Sequence, residues 1–292
     1  MAYELTIFTP TYNRAHTLPR LYQSLCEQDN KGFVWLVVDD GSTDGTQQLI
    51  ERWRQEGKID IVYFRQENGG KMRAHNKGVE LCQTELFVCI DSDDYLATPH
   101  AVADVLDFWD DNADITRRDD ISGMVSYRKM TNRPHTQFPD GVQTATLEEL
   151  YNQGFRGETT LVLKTSILRR YPFPVEEGEK FVTESIVYDL LDQHYKLLVF
   201  RHYTQVCEYL ADGYSANGMD VMLKNPRGYR RFYNQRVALG KGSVRYDTKM
   251  FIALSLFIAD GKMFSMASNK WLTLLYFPMG LYQYWKLKRG KW

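Results

Sequence analysis

Short apolar runs alternate with segments of helical period through the first hundred residues. The pattern predicts strands at 5–10, 33–39, 61–65 and 86–91, with helices at 17–27, 46–56, 73–83 and 99–109 between and after them. The second helix follows Ser42, Thr43 and Asp44, any of which can cap its free N–H groups. Such a βαβα rhythm predicts an α/β fold, a mostly parallel sheet flanked by helices on both faces. In sheets of this kind ligands bind beyond the carboxyl ends of the strands. The polar clusters fall at those ends: Thr11-Tyr12-Asn13-Arg14, Asp39-Asp40-Gly41-Ser42, Glu67-Asn68-Gly69-Gly70-Lys71 and Asp91-Ser92-Asp93-Asp94 each follow one strand. All four converge on one edge, where random polar loops would be spread over two.

The second half is less regular, with strands expected at 124–127 and about 159–164 and a helix over about 183–194. No repeat or low-complexity linker interrupts it, so the middle segment is read as completing the same domain. Composition shifts near Asp220. The net charge of −1 hides fourteen Lys and Arg against only Asp247 and Asp260 from residue 221 onward. An acidic body with a basic tail points to an anionic partner for the tail. Cys26, Cys82, Cys89 and Cys207 show neither CxxC nor zinc-ligand spacing, and the N-terminus enters a strand-like run without a leader. Reduced thiols and a cytoplasmic location are therefore expected.

Three carboxylates within Asp91-Ser92-Asp93-Asp94 repel one another unless a cation neutralises them. Hard oxygen donors suit Mg²⁺ or Mn²⁺, which share their shells with substrate phosphates. If the chain is still extended there, Asp91 and Asp93 point to opposite sides, one towards a nucleotide sugar and one towards the metal. Asp39 and Asp40 can accept hydrogen bonds from a base or ribose, and Lys71 stands where a phosphate could meet both a cation and a helix N-terminus. Each cluster read alone is also compatible with a solvated, capped turn. The GxGxxG and Walker A spacings are absent, which excludes ordinary dehydrogenases and P-loop NTPases. His16, His75 and His100 sit at no metal spacing and read as incidental.

The ordered segments TPTYNR at 9–14, VVDDGSTDGT at 37–46, ENGGKMRAHNKGV at 67–79 and IDSDD at 90–94 resemble family 2 glycosyltransferases over roughly residues 4–210. The resemblance implies a GT-A fold with a Rossmann-like sheet, residues 1–215 forming the catalytic domain and 216–292 a basic, aromatic-rich helical extension. It implies inverting transfer from a UDP-sugar to a hydroxyl of a glycan or lipid-linked acceptor in cell-surface polysaccharide synthesis, with Mn²⁺ or Mg²⁺ as cofactor. Pro10, Thr11, Tyr12, Arg14, Asp39, Asp40, Lys71, Arg73, Asp91 and Ser92 would bind the donor. Asp93, with Asp91, would hold the metal, Asp94 being unassigned, and Asp91 would also act on the donor sugar. The family usually carries a Glu-Asp pair as general base. Here Glu184 takes the base position with Thr183 where the companion acid stands, and Glu179 is the rival. A nucleotidyltransferase of related fold would show an N-terminal glycine-rich loop in place of TPTYNR. A silent UDP-sugar-binding protein remains the other alternative.

In the tail, the basic, aromatic stretch from Lys224 lacks a nucleic-acid module around it, so no nucleic-acid partner is expected. Residues 271–285 are uncharged, rich in Trp and Tyr, broken by Pro278 and Gly280, and followed by Lys286, Lys288, Arg289 and Lys291. They are too short to span a bilayer but suit its anionic interface, on the inner face of the cell membrane. A C-terminal helix packed on protein is the competing reading.

Overall fold

The computed structural model describes residues 3–131, 135–207 and 217–291. These form two compact units, residues 3–172 with 190–207 and residues 173–189 with 217–291. The expected boundary between Ser215 and Ala216 lies outside the described residues, and the segment 173–189 groups with the C-terminal helices.

The first unit opens with β1 (Leu5–Thr11), α1 (Leu18–Cys26), β2 (Phe33–Asp39), α2 (Thr46–Glu56), β3 (Ile61–Arg65), α3 (Lys71–Leu81) and β4 (Leu86–Cys89). Next come β5 (Tyr95–Leu96), α4 (Ala101–Asp111), α5 (Ala113–Thr116) and β6 (Ile121–Met130). The unit then runs through β7 (Thr144–Ala145), α6 (Leu147–Asn152), β8 (Glu158–Lys164) and α7 (Thr165–Leu168). Helix α8 (Ser185–Leu191) leads into its last strand, β9 (Lys196–Cys207). The sheet order is β3-β2-β1-β4-β8-β6-β9-β5, with β7 also on β9. Strands β3, β2, β1 and β4 run parallel, as do β6 and β9, while β8 lies antiparallel between the two groups.

Side chains of alternating parity on β1 and β4 feed two cores. Leu5, Ile7 and Val88 join Leu21 of α1, Trp53 of α2 and Val105 of α4. Phe8 and Phe87 stack instead at 5.1 Å, and the His75 ring from α3 meets both edge-on. His75 is thus a buried residue packed between aromatic rings, where the sequence suggested an incidental polar position. In the first of these cores Tyr22 stacks on Trp53, ring centres 4.2 Å apart, with Trp35 beside them.

The second unit contains α9 (Gly218–Lys224), α10 (Pro226–Leu239), α11 (Val244–Ile258), α12 (Met263–Met266), α13 (Lys270–Leu275) and α14 (Phe277–Lys288). Met250, Ile252, Ala253 and Leu254 of α11 are fully enclosed. Gly280 lets α14 approach α11, because a Cβ there would stand 2.3 Å from the Ile252 Cγ2. Arg230 grips Asp260 through bonds of 2.9 and 2.8 Å, which holds the Asp260 carboxyl down at about 2. Burial pushes Asp247 up to about 6, against the pull of Arg236.

Two measurements test this packing. Trp53→Ala should cost roughly 3–5 kcal/mol in urea unfolding, through lost burial and the cavity left in the aromatic stack. Because Asp247 is raised from 3.8 in the unfolded chain to about 6 in the fold, its contribution to stability falls as pH rises through that window and is level above it. The stability of wild type relative to Asp247→Asn should therefore decline between those pH values, and a level difference would refute the assignment.

Candidate active site

The four strand-end clusters are joined by specific bonds. Asn13, held at φ 53° after β1, accepts from the Thr43 amide at 2.8 Å with Oδ1, while its own amide donates to Ser42 Oγ at 2.9 Å. Asp44 accepts from the Thr46 amide and hydroxyl with one oxygen and from the Ala15 amide with the other. Of the three possible caps before α2, Asp44 is the one whose side chain serves the helix, and it also clamps the first cluster to the second.

Asp40 joins the second cluster to the third. Its amide donates to the Thr11 carbonyl at 2.8 Å, and its buried carboxylate accepts four bonds. Gln66 Nε2 and the Gly69 amide reach Oδ1, and Asn68 Nδ2 and the Gly70 amide reach Oδ2, all between 2.7 and 3.0 Å. That fills a carboxylate's acceptor sites. Gly41 is required where these loops meet: its φ is +83°, and a Cβ would stand 3.0 Å from the Asn68 amide nitrogen. Neighbouring Asp39 accepts from the Ser42 amide and the Tyr63 hydroxyl, both at 2.7 Å.

The loop held by Asp40 ends at Gly70, whose φ of 96° starts α3 at Lys71, two residues earlier than the periodicity suggested. Lys71 thereby enters the fourth cluster and meets both Asp91 oxygens, at 2.8 and 3.0 Å. Arg73, two residues further along α3, folds back to donate to the Gly69 carbonyl at 2.6 Å.

The chain is not extended through the acidic cluster. The Ile90 amide makes the last bond to β1, and the Asp94 amide then turns back to the Asp91 carbonyl at 3.0 Å. Opposed directions for Asp91 and Asp93, which required a continuing strand, therefore do not apply. Burial alone would raise Asp91, but the charges of Lys71 and Arg128 outweigh it and hold the carboxyl below its usual range. Asp93 is raised, first by burial and then by the charge of Asp91. Its carbonyl is fixed by the Arg20 guanidinium. Asp94 is pushed up to about 8, chiefly by burial, and accepts from Gln205 Nε2 at 3.0 Å.

Among the described residues, no group of three or more His, Cys, Asp or Glu side chains is placed to hold a metal ion by itself. The donor set nevertheless fits a cation that takes part of its shell from a diphosphate, since Asp91 and Asp93 lie in one turn and, after burial, the charge of Asp91 opposes ionisation of Asp93. Of the remaining expected donor residues, Pro10, Thr11 and Ser92 lie at the same edge with Thr11 and Ser92 buried, and Tyr12 is exposed. Arg14 lies close enough to act electrostatically on Asp93.

The two expected bases belong to the other unit and differ sharply. Glu179 is buried, and its oxygens accept from the Arg227 amide at 2.7 Å and the Gly228 amide at 2.8 Å, capping α10. Glu184 is half-buried just before α8 and acts on Tyr229, whose hydroxyl is pushed up to about 12 by burial and by this charge. Sequence reasoning placed Asn13 in the first cluster without a role, and missed Arg128 and Gln205. Arg128 could have been found at the carboxyl end of its strand, whereas Gln205 lies in β9, which was not foreseen.

A model of glycosyl transferase family 2 matches residues 6–172, more than half of the chain. The chain belongs to this family. Over 95 residues the family 2 chain is 32% identical to the poly(ribitol-phosphate) beta-N-acetylglucosaminyltransferase TarS of Staphylococcus aureus, covering 32% of this chain and 17% of TarS. The putative teichuronic acid biosynthesis glycosyltransferase TuaG of Bacillus subtilis is 32% identical over 31% of this chain and 36% of its own. The alignments thus span well under two thirds of either relative. An S. aureus TarS fragment crystallised with UDP-GlcNAc matches with a TM-score of 0.61 at 18% identity, over 99% of this chain and 93% of that one. A Pyrobaculum calidifontis mannosyltransferase bound to GDP-Man and Mn²⁺ matches at 0.57 with 16% identity, over 97% and 87%. These likenesses establish the GT-A type of fold for the family 2 chain.

Asp40→Ala should unfasten the loop before α3. Removing an acceptor from several enclosed donors costs about 1–3 kcal/mol, so denaturant unfolding should shift by that order. Hydrogen exchange should quicken at the Gly69 and Gly70 amides, and unchanged exchange there would contradict the role given to Asp40.

Proposed function

We propose that the protein is an inverting glycosyltransferase that moves a sugar from a UDP-sugar to a hydroxyl of a glycan or lipid-linked acceptor, on the cytoplasmic side of the membrane. The observation that carries this reading is the run of bonds from Asn13 through Asp40 to the Lys71–Asp91 pair, which gathers cations, amides and carboxylates at one sheet edge. Transfer of N-acetylglucosamine by TarS to poly(ribitol phosphate), and the placing of TuaG in teichuronic acid biosynthesis, support a polymeric acceptor in cell-surface polysaccharide synthesis.

In this mechanism Glu184 accepts the proton of the acceptor hydroxyl as that oxygen attacks the anomeric carbon from the face opposite UDP. The bond from that carbon to the UDP oxygen breaks, and its electron pair leaves with the diphosphate. Glu184 is preferred to Glu179, whose carboxylate is committed to the amides of α10. Lys71 and Arg14 supply positive charge for the diphosphate, Asp91 orients the donor sugar, and Tyr12 and Thr11 border the nucleoside. Asp39 and Asp40 shape that pocket through the loops they hold. Asp93, with Asp91, would hold Mn²⁺ or Mg²⁺, whose chemistry there is to neutralise charge gathering on the departing diphosphate.

Release of UDP should be measured with a panel of UDP-sugars and acceptors in the presence of Mn²⁺. Asp93→Ala should lose roughly 10²-fold or more of transfer, corresponding to several kcal/mol of charge stabilisation. Undiminished transfer would refute the metal assignment. Glu184→Gln should bind UDP as wild type does but lose about 10²–10⁴-fold in turnover. Glu179→Gln should instead keep turnover while lowering the melting temperature, and the reverse pattern would exchange the two roles.

A further inference from the structure

Helices α13 and α14 carry several large apolar side chains outward. On α13, Trp271 is 82% exposed and Leu275 66%, whereas Thr273 is enclosed. On α14 the outward stripe is Leu281, Tyr282 and Trp285, and the residues turned inward are Gly280, Gln283 and Leu287. Gln283 is 3% exposed while Trp285 is 54% exposed. A helix seated on a core and facing water shows the opposite arrangement. The seat itself is filled, since Gly280 already brings α14 against Ile252. The outward stripe is therefore left over after α14 has packed.

Charge identifies what would cover it. From Gly261 to the chain end there are six Lys and Arg and no Asp or Glu. Among the described residues, no carboxylate pairs with Lys270, Lys286, Lys288, Arg289 or Lys291. Lys249 on α11 is lowered by burial and then by the charges of Lys286 and Arg245. The face is thus an aromatic and aliphatic stripe on a segment whose charged side chains are all cations. Pairing two copies of it would bring like charges together, whereas an anionic lipid surface offers acyl chains to the stripe and headgroup charge to its rim. Trp and Tyr beside Lys and Arg are the side chains that settle at that depth.

We propose that the outward face of α13 and α14 docks the protein on an anionic lipid surface, lying in the headgroup region. No helix among the described residues is long and apolar enough to cross a membrane, consistent with docking on one leaflet. The proposal rests on this unit and does not depend on the catalytic reading.

Flotation of the full chain should be compared on vesicles of phosphatidylcholine alone and of phosphatidylcholine with phosphatidylglycerol. Wild type should float with the anionic vesicles and bind at least tenfold less to neutral ones, since each cation at the surface changes partitioning roughly fivefold. The Trp271→Ser/Leu275→Ser/Trp285→Ser protein should lose tenfold or more on anionic vesicles while keeping its melting temperature. Lys288→Gln/Arg289→Gln/Lys291→Gln should lose binding with the anionic vesicles and respond less to salt. Failure of wild type to float, or equal flotation by the serine variant, overturns the proposal. So does an oligomer in light scattering that the serine variant dissolves, because the face then belongs to a second copy.

Discussion

The Asp40 carboxylate is the constraint on which the sheet edge depends. A buried negative group without partners is unstable, and here it is offset by four donors drawn from a loop more than twenty residues away in sequence. The same four bonds fix where the loop ends and where α3 begins. Lys71 becomes the first residue of that helix, and only from there does its ammonium reach Asp91. The directions of titration in the acidic turn follow: against burial, the charges of Lys71 and Arg128 hold Asp91 below its usual range, burial and then the charge of Asp91 raise Asp93, and burial chiefly raises Asp94. Carboxyl groups of one chemical type are thus shifted in opposite directions by their surroundings, Asp91 down and Asp93 and Asp94 up.

The parts of the fold legible in sequence were those decided locally. Strands β2 and β3 and helix α2 fall at the foreseen residues because apolar runs are bounded there by Gly, Asp and Asn turn chemistry. The convergence of the four clusters followed from parallel strands and needed no side-chain detail. What escaped was decided at a distance. The start of α3 is set by Asp40, not by a neighbouring cap. Strand β9 pairs with β6 through several register shifts, so its side chains keep no clean alternation, and Gln205 behind Asp94 went unseen with it. The turn at Asp91–Asp94 was read as possible strand because Ile90 does continue the ladder by one bond.

In the C-terminal unit, composition was informative while position was not. The basic and aromatic character of the tail stood in the sequence, but which residues of α14 face outward depends on Gly280 and Ile252 meeting. Likewise Glu179 and Glu184, five residues apart and equivalent as acids, are separated in surroundings by the two amides at the start of α10 that Glu179 accepts.

The cap that Glu179 places on α10 has a further meaning for how this chain can be divided. The amides it receives come from Arg227 and Gly228, and Asn225 returns the connection by accepting from the Lys180 and Phe181 amides at 2.8 and 3.0 Å. The segment bearing Glu184 is thus laced on both sides to residues that follow the sheet-bearing unit in sequence. Cutting the chain ahead of α9 to obtain a minimal catalytic fragment would leave a buried carboxylate and several amides orphaned beside the proposed base. The helical end of the chain is a structural wall for that segment, and the two have to be inherited, expressed and exchanged together.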